Sequence, residues 1–187
     1  MASKDPLAWI DCEMTGLDPE NDSIMSIACF ITDSDLNILD DIGFEVVIHH
    51  SEEQLGRMGE WCTKHHANSG LTIACTTSTT TPAEAASGLL QYIQKHVPKA
   101  RTALLAGNSV HADKSFLVKQ PYKPVIDYLH YRILDVSSIK EAARRWAPTE
   151  ILNKAPRKKM LHEAREDILE SIREARFYRK AFFVLDS

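Results

Sequence analysis

Trp9-Ile10-Asp11-Cys12-Glu13-Met14-Thr15-Gly16 puts two acids at the end of an apolar run, Leu7-Ala8-Trp9-Ile10, that reads as a strand entering a core. Side chains alternate faces along a strand, so Asp11 and Glu13 project together. Two carboxylates side by side repel each other, and one stays protonated unless a cation is bound; a divalent metal is the simplest relief. Two solvated acids at a surface strand end are the plainer reading of Asp-x-Glu alone. The weight of the pair therefore depends on whether other acids in the chain can meet it.

Outward from this strand, Thr15-Gly16-Leu17-Asp18-Pro19 reads as a turn. Residues 23–31 form a nearly continuous apolar segment suited to a buried strand, Asp33-Ser34-Asp35 marks a turn, and residues 44–48 supply a third strand. Short links among the three predict an antiparallel meander. Leu55, Met58, Trp61 and Cys62 are spaced as on a half-buried helix. Thr81-Pro82-Ala83-Glu84 carries a capping box with proline at the first helical position, opening a helix to about Val97, before Pro98.

Residues 102–106 read as a strand broken by Gly107-Asn108, with a helix after it that contains Asp113, Phe116 and Leu117. Residues 131–136 are another strand, and Ser138 with Glu141 forms a second capping box before a helix toward Trp146. Pro148 and Pro156 bracket a loop, and residues 163–182 form a long helix packed through Ile168, Ile172 and Ala175. Three strands first and strand–helix alternation afterwards predict an α/β fold. It is a mixed five-stranded sheet with helices on both faces, in a single domain over residues 1–187 with its core at about 7–183.

The length allows a proper core without staples. No apolar run reaches the roughly twenty residues of a membrane span, and the amino terminus lacks a secretory pattern, so the expected place is intracellular, with cytoplasm and mitochondrion both open. Cys12, Cys29, Cys62 and Cys75 have no zinc-type spacing and read as reduced thiols. A net charge of −4 argues against a wide basic surface tracking a long duplex, but not against a short anionic substrate. Basic clusters at Arg144-Arg145 and at Lys154 to Lys159 read, each alone, as solvated faces and a loop, and the Lys158-Lys159 run has no assigned role.

Further acids do occur where strands end. Gly107-Asn108-Ser109-Val110-His111-Ala112-Asp113 places Asp113 at the first turn of a helix, where it would also suit the macrodipole. In Leu161-His162-Glu163-Ala164-Arg165-Glu166-Asp167, His162 and Asp167 would lie about 140° apart on one continuous helix. His162 is therefore placed in the loop before it. Asp-x-Glu on a strand, Gly-Asn-Ser-x-x-x-Asp at a helix start and His-x-Ala-x-x-Asp at the last helix together resemble the DEDD-type exonucleases with an active-site histidine. Trp-Ile-Asp-Cys-Glu-Met-Thr-Gly-Leu-Asp, His-Tyr-Arg-Ile-Leu-Asp-Val-Ser and Ile-Arg-Glu-Ala-Arg-Phe-Tyr-Arg are similar to one branch, the oligoribonucleases.

The resemblance implies an RNase H-like fold and a homodimer that removes 5′-mononucleotides from the 3′ ends of very short RNAs, dinucleotides especially. It implies that Asp11, Glu13, Asp113 and Asp167 bind two divalent ions, Mg²⁺ or Mn²⁺, roughly 4 Å apart, with His162 as general base. Leu17 would be a wedge against the bases and Trp61 a stacking surface. Ser109, Arg132 and Ser137 would cap the substrate's 5′ phosphate, with Tyr131 reaching in from the other protomer. Taken singly, Leu17 reads as a turn residue, Trp61 as core, Arg132 as a strand-edge charge and Ser137 as a helix-start residue. Ser26 stands where the family usually has glutamate, and neither it nor His66 has an assigned role. Two alternatives accompany this reading: a catalytically silent oligonucleotide-binding protein of the same fold, and an exonuclease trimming longer RNA or DNA.

Overall fold

The computed structural model describes residues 5–156 and 164–183. Five strands, β1 (Leu7–Met14), β2 (Ile24–Thr32), β3 (Phe44–Val47), β4 (Leu104–Gly107) and β5 (His130–Asp135), form one sheet in the order β3-β2-β1-β4-β5. β1 pairs antiparallel with β2 and parallel with β4, so the acid-bearing strand is central and lies where the pairing changes direction. The expected meander is present, since β2 also pairs antiparallel with β3.

Both faces of the sheet are covered, which is why β2 is buried along its whole length. Ala8, Ile10, Cys12, Ile27, Cys29 and Ile31 pack on one side against α4 (Pro82–His96). α1 (Glu52–Leu55), α2 (Glu60–Asn68) and α3 (Leu71–Thr77) lead into this layer, and α5 (His111–Leu117) and α6 (Lys123–Tyr128) complete it. Leu7, Trp9, Ala28 and Phe30 face the other way, toward α7 (Val136–Trp146) and α9 (Ala164–Tyr178), with α8 (Thr149–Leu152) between those two in sequence. The polar tip of buried Trp9 is satisfied by Thr32, whose Oγ1 accepts from Nε1 at 2.9 Å.

Thr81 caps α4 as its spacing predicts: Thr81 Oγ1 accepts from the Glu84 amide at 3.2 Å and Glu84 Oε2 accepts from the Thr81 amide at 2.8 Å. The second predicted box does not form. α7 begins at Val136, directly after β5, and Asp135 caps it by accepting the Ser137 amide at 3.0 Å. With no loop between strand and helix, Ser138 already lies inside the helix. The helix expected from Leu55 to Cys62 is also divided, because the chain turns at Gly56 and restarts at Glu60 as α2. Ile168, Ile172 and Ala175 are buried under α9, which continues as a π-helical turn, Arg179–Phe183.

α9 is fixed to the far side of the sheet by its arginines. Arg165 donates to the Asp41 carbonyl at 3.0 Å and to the Ile42 carbonyl, and its guanidinium lies 4.8 Å from the Phe30 ring centroid. Arg176 donates to the Leu36 carbonyl at 2.6 Å. These contacts hold the first turn of α9, and Asp167 on it, over the end of β1.

Candidate active site

Asp11 and Glu13 share the face of β1 that carries Leu7 and Trp9, which is the face α9 covers. Asp167 arrives there from the first turn of α9, and ligand oxygens of Asp11, Glu13 and Asp167 all lie within 4.8 Å of one another. Asp113 stands beside this trio. It is 6% exposed, and its Oδ1 accepts the Cys12 amide at 2.9 Å, so the strand residue between the two β1 acids is what ties it down. Its place follows from topology: β4 is the parallel neighbour of β1, and α5 begins just past the end of β4.

The electrostatics record the crowding. Burial, then the Asp167 and Asp113 carboxylates, push the Glu13 carboxyl up to about 8 from an ordinary 4.5. Burial also raises the Asp113 carboxyl, offset in part by the hydrogen bond from Cys12. A group of converging carboxylates that holds protons at neutral pH is a set of oxygen donors suited to hard divalent cations. His162, the expected base, lies outside the described residues, as does the Lys158-Lys159 run.

A cleft of 760 Å³ opens from Glu13 along the turn after β1, lined by Leu17, Trp61, Cys62 and His66. Leu17 is 80% exposed and Trp61 64%, so neither is core. The turn holding Leu17 is tightly built. Asp22 accepts from Thr15 Oγ1 at 2.9 Å and from the Asp18 amide at 3.0 Å, and Lys119 donates to the Pro19 carbonyl at 2.8 Å. A Cβ on Gly16 would come within 2.3 Å of Asp22 Oδ2, so this closure needs the glycine. Trp61 is stacked on His65, with ring centroids 4.5 Å apart and planes 5° from parallel. His66, unassigned from sequence, is buried and donates from Nε2 to the Met14 carbonyl at 2.9 Å, bracing the end of β1 from α2.

Ser109 and Ser137 meet at the ends of β4 and β5, with their hydroxyls 3.1 Å apart. Ser109 has a positive φ of 52°, held by its amide, which donates to Asp135 Oδ1 at 2.9 Å and to Ser137 Oγ at 3.0 Å. Among the described residues the hydrogen-bond partners of these serines do not include Arg132. The Arg132 guanidinium lies 5.2 Å from the Tyr131 ring centroid, and Arg132 is among the residues lining a separate cavity of 470 Å³ with His96, Lys99, Arg101 and His130. Tyr131 itself is 65% exposed on this edge strand.

Two features escaped the sequence reading. Asp135 lies in the stretch whose pattern predicts strand, yet it caps α7 and consumes the Ser109 and Ser137 amides. Asn108, a strand breaker by residue type and a member of the Gly-Asn-Ser-x-x-x-Asp motif, has no role assigned from sequence, and the structure hydrogen-bonds it to Ser137, Ser171 and Glu174. Ser26 is the cross-strand partner of Glu13, and with Glu13, Glu45 and Ala164 it lines a cavity of 230 Å³, space that a longer acid would enter.

A family model described as exonuclease matches residues 8–175. An oligoribonuclease from Rhodococcus jostii is 50% identical over 182 residues, covering 97% of this chain and 89% of that protein. A probable oligoribonuclease from Drosophila melanogaster is 47% identical, covering 95% of this chain and 82% of that one. The mitochondrial oligoribonuclease of Saccharomyces cerevisiae is also 47% identical, over 92% of this chain and 66% of that protein. Among solved structures, Escherichia coli exonuclease I in complex with a 5cy-dT13 oligonucleotide aligns with a TM-score of 0.72 at 14% identity. That alignment spans 96% of this chain and 42% of that one, and shows a shared fold.

Proposed function

The chain belongs to the oligoribonucleases of the exonuclease family, and from that premise we infer how its own residues divide the work. It is a 3′-to-5′ exoribonuclease acting on short RNA. The observation that carries the proposed assignment of residues is the convergence of Asp11, Glu13 and Asp167 within 4.8 Å, beside a cleft walled by exposed Leu17 and Trp61.

The family uses divalent metal ions, and the acids fit that need, because their mutual repulsion is what a cation relieves. Asp11, Glu13, Asp113 and Asp167 would hold two ions, Mg²⁺ or Mn²⁺. When bound, these supply charge stabilisation for the phosphodiester and a more acidic water. His162 accepts the proton of the attacking water, and must be neutral to do so. Leu17, held out by its hydrogen-bonded turn, wedges against the bases, and Trp61, backed by His65, offers a stacking face.

Ser109 and Ser137 cap the 5′ phosphate. Asp135 already takes both of their amides and Asn108 takes the Ser137 hydroxyl proton, so the cap has the Ser109 hydroxyl to offer but no guanidinium or ammonium bonded to either serine among the described residues. A dianionic phosphate beside a carboxylate needs a cation. Arg132 packs on Tyr131, so the two travel together, and the homodimer is proposed to deliver both from the partner's edge strand. Trp146, 81% exposed, flanks an apolar surface with Ile139, Ile151 and Phe183 that suits burial between copies.

No helix among the described residues is long and apolar enough to cross a membrane. An intracellular place, cytoplasmic or mitochondrial, belongs to the proposal. The deciding experiment compares cleavage of a 5′-phosphorylated diribonucleotide, a longer RNA and the DNA equivalent in Mg²⁺ and in Mn²⁺. A steep preference for the diribonucleotide is expected, and equal rates on the longer RNA would remove the cap.

A further inference from the structure

We propose that Asn108 is a positioning residue that locks the 5′-phosphate cap to the helix carrying Asp167, so that recognition of the substrate's 5′ phosphate depends on it. This rests on the cap reading above. Asn108 follows the last residue of β4 and spends its whole amide on partners inside the protein. Its Oδ1 accepts from Ser137 Oγ at 3.1 Å, and its Nδ2 donates to Ser171 Oγ at 2.8 Å and to Glu174 Oε2 at 3.1 Å. Ser171 Oγ then donates to the Asp167 carbonyl at 2.8 Å. An unbroken run of hydrogen bonds joins the cap serines to the backbone of Asp167.

The anchor at the far end is firm. Glu174 is 4% exposed, and its other oxygen accepts from Tyr178 at 3.1 Å and lies 3.4 Å from Lys140 Nζ. An amide is the group this position demands, since only Asn or Gln offers an acceptor together with two donors. Aspartate would set a second acid against Glu174. Proton bookkeeping gives the consequence for the cap. Ser171 has one proton, given to Asp167, so it accepts from Asn108; Ser137 has one proton, given to Asn108, so it accepts from its other neighbours. The Ser109 hydroxyl, on a backbone held at positive φ, is then the donor left to turn toward an anion. Without Asn108 the Ser137 proton has no fixed acceptor, and the spacing between the cap and Asp167 is no longer held by side chains of both elements.

The test is the ratio of kcat/KM for a 5′-phosphorylated diribonucleotide to that for its 5′-hydroxyl counterpart, measured in Mg²⁺. Wild type, Asn108→Ala and Arg132→Ala are compared, with Arg132→Ala reporting on the cap itself. Both substrates use the same acids, so a general loss of structure slows them equally and leaves the ratio alone. Asn108→Ala is expected to lower the ratio about fivefold through KM of the phosphorylated substrate, as loss of a positioning hydrogen bond would. An unchanged ratio for Asn108→Ala, with a lowered one for Arg132→Ala, overturns the inference and leaves the cap standing. An unchanged ratio for Arg132→Ala removes the cap reading, and this inference with it. If Asn108→Ala does not fold, Ser171→Ala removes one link of the same run. It is expected to lower the ratio by a smaller factor, and an unchanged ratio there overturns the inference.

Discussion

Replacing Glu13 by Gln should stabilise the metal-free protein at pH 8 and destabilise the metal-loaded one. Burial and the neighbouring Asp167 and Asp113 carboxylates raise the Glu13 carboxyl from 4.5 to about 8. Between these two values the native state keeps a proton that the unfolded chain has released, so stability falls as pH rises through that window and is fully present below it. The rise corresponds to roughly 5 kcal/mol at most. Partial solvent access and sharing of protons among the acids reduce this to about 2–3 kcal/mol. For a chain of this size that is about 5–10 °C in melting temperature. The assay is thermal melting of wild type and Glu13→Gln in EDTA from about pH 4.5 to pH 8, repeated with Mg²⁺. In EDTA the two curves should coincide near pH 4.5 and separate in favour of the variant toward pH 8. With Mg²⁺ the order should reverse at pH 8, because a cation binds the ionised acid and the amide is a poorer ligand. A separation in EDTA that does not change with pH would refute the claim that the acids crowd one another.

Asp11→Asn should keep the wild-type fold and lose turnover by roughly a thousandfold or more, since the charge stabilisation at stake is several kcal/mol; an active, Mg²⁺-dependent variant would sink the metal assignment. Wild-type kcat should fall as pH drops through about 6.5, as His162 takes up a proton, and a flat kcat profile from acid to neutral pH would remove it as the base. Trp61→Ala should lower kcat/KM for diribonucleotides by about 10-fold, within the range for one lost base stack, with the melting temperature little changed because the ring is exposed. Mixing inactive Asp11→Asn chains with Arg132→Ala chains should restore activity toward about a quarter of the wild-type rate, since half of randomly mixed dimers contain one site with both residues intact. No recovery on mixing would place Arg132 in the same chain as the acids it serves.

The acid motifs were legible because strand periodicity and element order are local properties. Trp9 to Glu13 fixed which residues share a face, and the Thr81–Glu84 box marked a helix start that the structure contains. Misreadings arose where a nonlocal partner or an abrupt junction decided the outcome. Ser138 and Glu141 have capping-box spacing, but β5 runs straight into α7, and Asp135 takes the cap. Leu55 to Cys62 has helical spacing, yet a turn at Gly56 divides it and leaves Trp61 exposed, which suits stacking better than core. α3 was not anticipated, because Leu-Thr-Ile-Ala-Cys-Thr-Thr is rich in β-branched residues with low helix propensity. Arg132, five residues before Ser137 in sequence, lines a different cavity of its own chain, a separation along the strand axis that sequence distance does not display.

What turns Asp11 and Glu13 from surface acids into part of a site is the position of β1. Were β1 an edge strand, its two acids would face water and repel little. Placed between an antiparallel and a parallel neighbour, it receives α5 from the end of β4 and α9 across the opposite face, and each brings one acid. Asp113 is secured by the amide of Cys12, the residue between the two strand acids, so the strand that presents its acids on one face uses its backbone to hold the third. Asp167 comes to the group from the first turn of α9. Its place is set by α9, through Arg165 and Arg176 at the β2–β3 side and through Ser171 and Glu174 at the Asn108 side. The acids therefore differ in what holds them. Asp113 follows the sheet, whereas Asp167 follows the docking of a helix, and changes in that docking should be felt first at Asp167.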